Sequence, residues 1–387
     1  MAKGIQIGIG TTNKKNTKGF VGTGVANKKL KRVIVGTASG NKLAWVGVEP
    51  YVYMGHSSPT LKRIKPSGTE DWSYNATALG DINRITKLRI NSKGDVFAGC
   101  VSNSNTDQRL LVKLNAAGAL VWQKAAPGFV DNLGLSPILT NDINDNVYVW
   151  EEAGGVKYWP FIKLNSSGTE IWRKSFKDDF GFEQPPFAAD CDSMGNIYVG
   201  SYSYTTSLYI VKKISPAGVV VWTYTWPLSD KTRVELNLAV DKDGNVYVVY
   251  QMSAASTADF RLIKLSTDGV KLGNDISVYN SNYAGYGGIC LDKGFVYMST
   301  RLSNTEYAVF RASLSLTGLV TLFTFPNTTN IKALAVDADG CLYTGKGATS
   351  VIVKSDQAGN VIWTFSTGYV QICEVLPGKI GTFPNEW

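Results

Sequence analysis

Apolar residues in this chain come in short alternating runs, cut off by glycine, aspartate or asparagine. That is the pattern of strands joined by tight turns, and no helical period competes with it. The runs recur with a period near fifty. Gly68, Gly118, Gly168 and Gly218 stand 50 residues apart, and each is followed four residues later by Trp72, Trp122, Trp172 or Trp222. Gly269, Gly318 and Gly359 continue the series, with Leu272–Gly273, Leu322 and Trp363 in the corresponding places. Before each glycine lies a strand carrying a basic residue, such as Leu-Val-Lys-Leu (111–114) or Leu-Ile-Lys-Leu (262–265). A third piece is an aspartate turn running into an aromatic strand, as in Asp192-Ser-Met-Gly-Asn-Ile-Tyr and Asp241-Lys-Asp-Gly-Asn-Val-Tyr.

Each unit therefore reads as four antiparallel strands, and about seven units predict an all-β fold, a β-propeller. Stacking the sheets buries what one blade cannot, and closing the ring removes sheet edges. Val370–Leu376 repeats the first-strand pattern once more and is expected to close the ring against residues 43–56. Seven blades are expected; because Leu43-Ala-Trp-Val also looks like a first strand, a partial eighth stays open.

The N-terminus follows another rule. Gly8, Gly22 and Gly36 are spaced by 14, as are Asn13, Asn27 and Asn41, and Lys14, Lys28 and Lys42. Each copy has one β-prone apolar piece and an Asn-Lys turn, so residues 1–42 are read as a short β-rich repeat arm and 43–387 as the propeller. Charge sharpens the division. The net +8 is concentrated in residues 1–48, which hold nine basic side chains and no acid, leaving 30 basic and 31 acidic residues in 49–387. An arm with its own partner follows, with Lys14, Lys15, Lys28, Lys29, Lys31, Arg32 and Lys42 as its anchor. Three strands bury little alone, so docking on an acidic protein surface is the expected use. Nucleic acid is not the expected partner, since Phe20 is the only aromatic before Trp45 and single-strand binders interleave bases with stacking rings.

Two resemblances attach to these motifs. The sequence Asp-x-x-Gly-Asn-x-Tyr-Val-x-Gly followed by Lys-Leu-x-x-x-Gly-x-x-x-Trp resembles the bacterial seven-bladed β-propeller repeat over roughly residues 43–384, and its tryptophans are similar to those of quinoprotein-type tryptophan-docking propellers. The arm resembles the Gly/Lys-rich N-terminal repeat of tailed-bacteriophage structural proteins, with Thr and Asn where Val and Arg often stand. The second resemblance implies a virion protein. Its arm would bind other virion proteins through residues 1–46, and its propeller would be displayed for host-surface binding or particle decoration as a homo-oligomer. A cytoplasmic cellular scaffold recruiting an acidic partner is the alternative, and a propeller enzyme acting on polysaccharide the third reading.

Chemistry-bearing residues are sparse. His56 is the sole histidine, which argues against a multi-histidine metal site or a histidine-based triad. Cysteines 100, 191, 290, 341 and 373 are odd in number and lack a C-x-x-C, so they are read as buried thiols of a protein made in host cytoplasm. No signal-peptide core and no run of about 18 apolar residues is present, so membrane insertion is not expected. The turn aspartates 192, 241 and 337 are read as backbone caps, with calcium left open. No metal, cofactor or catalytic residue is expected, and the chain is read as not an enzyme. Ligand contacts are assigned to aromatics on the irregular connections: Tyr158, Trp159, Tyr202, Tyr204, Trp226, Tyr279 and Tyr283.

Overall fold

The computed structural model describes strands at residues 20–21, 28–29, 32–37 and 40–46 by their backbone. It also describes residues 51–375 apart from 57–58, 81, 83, 92, 102–108, 126–138, 143, 151–159, 185, 229–235, 255–256, 282–287, 293, 304–305, 327–330, 338, 347–350 and 367–369. Seven antiparallel four-stranded sheets form the disc. Blades 2 to 7 span residues 84–125, 139–175, 188–227, 236–281, 289–326 and 331–366, each in simple sequence order from axis to rim.

Blade 1 is composite. Its inner strand, Val370–Val375, pairs with Val52–His56, which is followed by Thr60–Ile64 and Glu70–Asn75. The inner strand of every blade lies against those of both neighbours, and Val370–Val375 touches the inner strands of blades 7 and 2. The ring is therefore closed at seven. Leu43–Val46, which left room for an eighth blade, instead belongs to a two-stranded ribbon with Arg32–Thr37. In that ribbon Asn41 and Lys42 pair with Gly36 and Val35, so this Asn-Lys pair lies in a strand and not in the expected turn.

A layer of seven equivalent side chains fills the disc just inside the first-to-second turns: Tyr53, Phe97, Tyr148, Tyr198, Tyr247, Tyr297 and Tyr343, all fully buried. Burying such side chains contributes roughly 1.5–3 kcal/mol each. The hydroxyls need partners in that setting; turn aspartates supply them for Tyr148, Tyr198, Tyr247, Tyr297 and Tyr343, and the Gly94 carbonyl for Tyr53. Asp192 accepts from the backbone N–H of Met194 and Asn196 through Oδ1 (both 2.9 Å), and from Asn196 Nδ2 (2.8 Å) and the Tyr198 hydroxyl (3.0 Å) through Oδ2. Asp241 repeats the arrangement with Tyr247.

Blade 2 shows the rule by inversion. Phe97 lacks the hydroxyl, the turn residue is Asn91, and Asn91 Nδ2 donates to Asp95 Oδ2 at 3.1 Å. Asp337 lacks the asparagine four residues on and has Cys341 there, so the Tyr343 hydroxyl at 2.8 Å carries more of its stabilisation. Tyr343→Phe is expected to cost about 1–3 kcal/mol, and Tyr198→Phe less, because Asn196 still donates to Asp192. Urea denaturation of the two variants checks the order.

Blades are clasped at the rim. Trp72, Trp122, Trp172 and Trp222 each donate their indole N–H to a carbonyl in the third-to-fourth turn of the next blade, at 2.8–3.2 Å. Trp363 does the same from blade 7 to Pro66 of blade 1. Their rings lie on the turn glycines, which all have positive φ. Blade 6 departs from the spacing read in the sequence. Its turn hydrogen bonds, Leu316 N–H to Ser313 O and Ser313 N–H to Thr317 O (both 2.9 Å), place Leu316 where Gly118 stands in blade 2, with φ +59°. Blade 5 sends no tryptophan to that spot, so a side chain fits there, and Gly318 falls outside the series.

Candidate functional site

Strand direction divides the disc into two faces. First-to-second and third-to-fourth turns lie on one, here the turn face; the remaining connections lie on the other, the open face. On the turn face the aspartates of blades 4 and 5 have both oxygens saturated by N–H and O–H donors, which leaves none directed at a cation. Among the described residues no group of three or more His, Cys, Asp or Glu could hold a metal ion.

The open face is best described at blade 4. Register places Tyr202, Tyr209 and Trp226 side by side across its second, third and fourth strands. Tyr209 stacks on Trp226 at 5.2 Å, and Tyr250 of blade 5 meets both edge-on. The Tyr209 hydroxyl donates to Gln251 O at 2.5 Å, which ties the row to blade 5. Tyr202 and Trp226 are each only 8% exposed. Trp226 Nε1 is a buried donor with no hydrogen-bond partner among the described residues.

Among the described aromatics of this blade, one is exposed. Tyr204, 37% exposed, sits in the turn after the second strand with its ring edge-on to Tyr202 at 4.5 Å. Beside that turn stands Glu183, an exposed carboxylate on the connection leading into blade 4. Its Oε2 accepts from Ser203 Oγ at 2.6 Å, and Ser203 Oγ accepts from Thr206 N–H at 3.0 Å. The Ser203 and Thr205 donors hold the Glu183 carboxyl below its usual range. It is ionised at neutral pH and offers a fixed acceptor beside the turn that carries Tyr204.

Towards the axis, Asp190 is paired with Tyr198, as Thr140, Ala239 and Ala335 are with their tyrosines and as the charged Glu374 and Arg89 are with Tyr53 and Phe97. Its carboxylate accepts from Val240 N–H of blade 5 (2.9 Å) and from Cys191 N–H (3.0 Å). Burial pushes the carboxyl up against the pull of Arg89 from blade 2. Asp190 thus laces the inner strands of blades 4 and 5.

The residues assigned from sequence fare unevenly. Tyr202 and Tyr204 are in contact, and Tyr202 shares a core cluster with Trp226. Both Tyr202 and Trp226, placed on connections by sequence, belong to strands that run on to Ser203 and Pro227. Tyr279 lies in the strand Ile276–Ser281, with only its backbone described. Tyr158, Trp159, Tyr283, Lys14, Lys15 and Lys31 lie outside the described residues, while Lys28, Lys29, Arg32 and Lys42 lie in ribbon strands described by backbone alone. Sequence reasoning missed Glu183 and Asp190. Neither had a signal in the repeat: the position of Asp190 is also charged in blade 1 (Glu374) and blade 2 (Arg89), and Glu183 lies on a connection that does not repeat.

The buried thiols offer no nucleophile. Burial pushes Cys100 up to about 12 and raises Cys191 as well, and only the thiolate reacts. Native protein at pH 8 is expected to leave both unmodified by iodoacetamide, and urea to expose them; peptide mapping checks this.

The chain is thus a seven-bladed β-propeller with an aromatic and acidic patch on its open face. No protein-family model matches it, and no curated protein sequence does either. Solved structures share its fold. A protein of Bacteroides fragilis provisionally named a 6-phosphogluconolactonase aligns at TM-score 0.58 and 14% identity, over 84% of this chain and 98% of that one. A catalytically inactive virginiamycin B lyase from Staphylococcus aureus, solved with quinupristin, aligns at 0.51 and 13%, over 74% and 85%. A streptogramin B lyase aligns at 0.51 and 12%, over 81% and 93%. At such identities the likeness concerns the fold. It still corrects the expectation that the chain is not an enzyme, because propellers of this architecture are named as lyases and as a lactonase, and a single histidine does not exclude catalysis by other groups.

Proposed function

We propose that the chain is an arm-anchored recognition propeller of a tailed-phage particle, its open face turned outward to a polymer of the host surface. The observation that carries this reading is the pairing of Val52 with Val375. The arm enters blade 1, and the closing strand ends, side by side on the turn face. A disc held by its arm therefore presents the opposite face, where Tyr204 and Glu183 stand. The fourteen-residue basic repeat supports the particle as the place of anchorage. Oriented rings beside fixed acceptors suit saccharide hydroxyls and C–H faces.

Retention of the full-length protein on host cell-wall polymer tests the open face. Tyr204→Ala is expected to weaken retention about tenfold, or ~1.4 kcal/mol. Absence of retention by the native chain would sink the reading. Soluble fragments released by the native chain but not by Glu183→Gln would add cleavage to recognition. Replacing Lys14, Lys15, Lys28, Lys29 and Lys31 by Gln is expected to remove the protein from particles; undiminished incorporation would discard the anchor.

A further inference from the structure

The turn-face rim carries a feature that closure of the ring does not explain. Large apolar side chains are exposed in the turns that lead into the outermost strands and at the strands' beginnings: Val219 and Val221 in blade 4, Val270 in the turn of blade 5, Val361 and Ile362 in blade 7. These strands are the last in their sheets, so their outer backbone groups have no strand partner. Unprotected apolar edges of this kind are usually covered or charged. In blade 7 the pair is 60% and 51% exposed. The same face of that blade presents Asp339, exposed, and Asp356, half-buried. The basic side chains near it are engaged: Lys354 with Asp337 at 3.5 Å and the Tyr343 ring, Arg311 of blade 6 with Gln357 at 2.7 Å, and Lys62 of blade 1 with Glu70 at 2.8 Å. The edge is apolar and acidic at once.

A complementary segment leaves the disc next door. Trp363 of blade 7 donates to Pro66 of blade 1, and the arm joins blade 1 on this face at Val52. The arm holds nine basic side chains, no acid, and β-prone pieces such as Phe20-Val and Val33-Ile-Val. Its described strands form only two-stranded ribbons, which are marginal alone. A tethered segment acts at an effective concentration of about millimolar, above that of any second copy at micromolar protein.

We propose that the basic arm lies back on the rim of its own disc, with apolar strand residues against Val361 and Ile362 and lysines near Asp339. An assembly partner would then have to displace the arm. The inference depends neither on the open-face ligand nor on the particle, since it concerns the isolated chain.

Trypsin cleavage of the full-length protein at Lys28, Lys29, Lys31 and Arg32 reads it out. Arm cleavage is expected to be about tenfold faster in Val361→Lys/Ile362→Lys than in the native chain at 50 mM salt. It is also expected to accelerate in the native chain at 500 mM salt, where screening removes the charge attraction. Near-UV circular dichroism verifies the fold, and should the double variant not fold, Asp339→Lys carries the same expectation. Val219→Lys/Val221→Lys, on blade 4, should leave the rate unchanged. Equal rates in native and blade 7 variants, or acceleration by the blade 4 variant alone, overturns the proposal. So does protection that vanishes on dilution together with a sedimenting dimer, which would place the arm on another copy.

Discussion

A chain ending at residue 369 is expected to lose its cooperative fold. The missing strand, Val370–Val375, supplies the inner strand of blade 1, pairs along Val52–His56, and touches the inner strands of blades 7 and 2. Without it Val52, Tyr53 and Met54, now fully buried, face an open seam. Three such side chains are worth roughly 1.5–3 kcal/mol each, and the lost strand hydrogen bonds about 1 kcal/mol each. Together they rival the 5–15 kcal/mol that typically separates a folded domain from its unfolded chain. The expected result is no urea transition and a collapsed near-UV spectrum. A cooperative transition at the native midpoint would show that the ring does not need its closing strand.

That strand was legible in the sequence because it repeats the first-strand pattern, and the period of fifty likewise announced the blades. Both are written in residues that face neighbouring blades, where each unit solves the same packing problem. The turn aspartates were legible as caps for the same reason, although their bond to the buried tyrosine hydroxyl is a contact six residues away and needs the turn geometry to be seen.

Legibility fails where the repeat is broken. Gly318 kept the spacing while Leu316 took the turn, because the constraint on that position comes from the ring of the preceding blade. On the open face nothing repeats. Tyr202 and Trp226 were taken for displayed aromatics since they flank connections, yet strand register turns them between blades, and of the three described with their side chains Tyr204 alone is exposed. Glu183 matters through a hydroxyl twenty residues away, which no local pattern records.

Gly269→Ala is expected to destabilise the disc by about 2–5 kcal/mol. Two causes add. The residue sits at φ +80°, where an L side chain costs roughly 1–2 kcal/mol. A Cβ there would also stand 2.7 Å from Cδ2 of Trp222, and overpacking of that kind costs about 1–3 kcal/mol. The ring cannot retreat freely, because its N–H is held by Thr267 O at 2.8 Å. Only the second cause depends on Trp222. In a Trp222→Leu background the same Gly269→Ala change should therefore cost only the backbone strain, and the double-mutant cycle should return a coupling of about 1–3 kcal/mol. Blade 6 shows the uncoupled arrangement in the native chain: blade 5 has Leu272 and no tryptophan at the corresponding place, and the blade 6 turn has Leu316 at positive φ. Additive effects in urea denaturation would mean that the glycine is required by its own backbone alone and that the tryptophan exerts no demand on it.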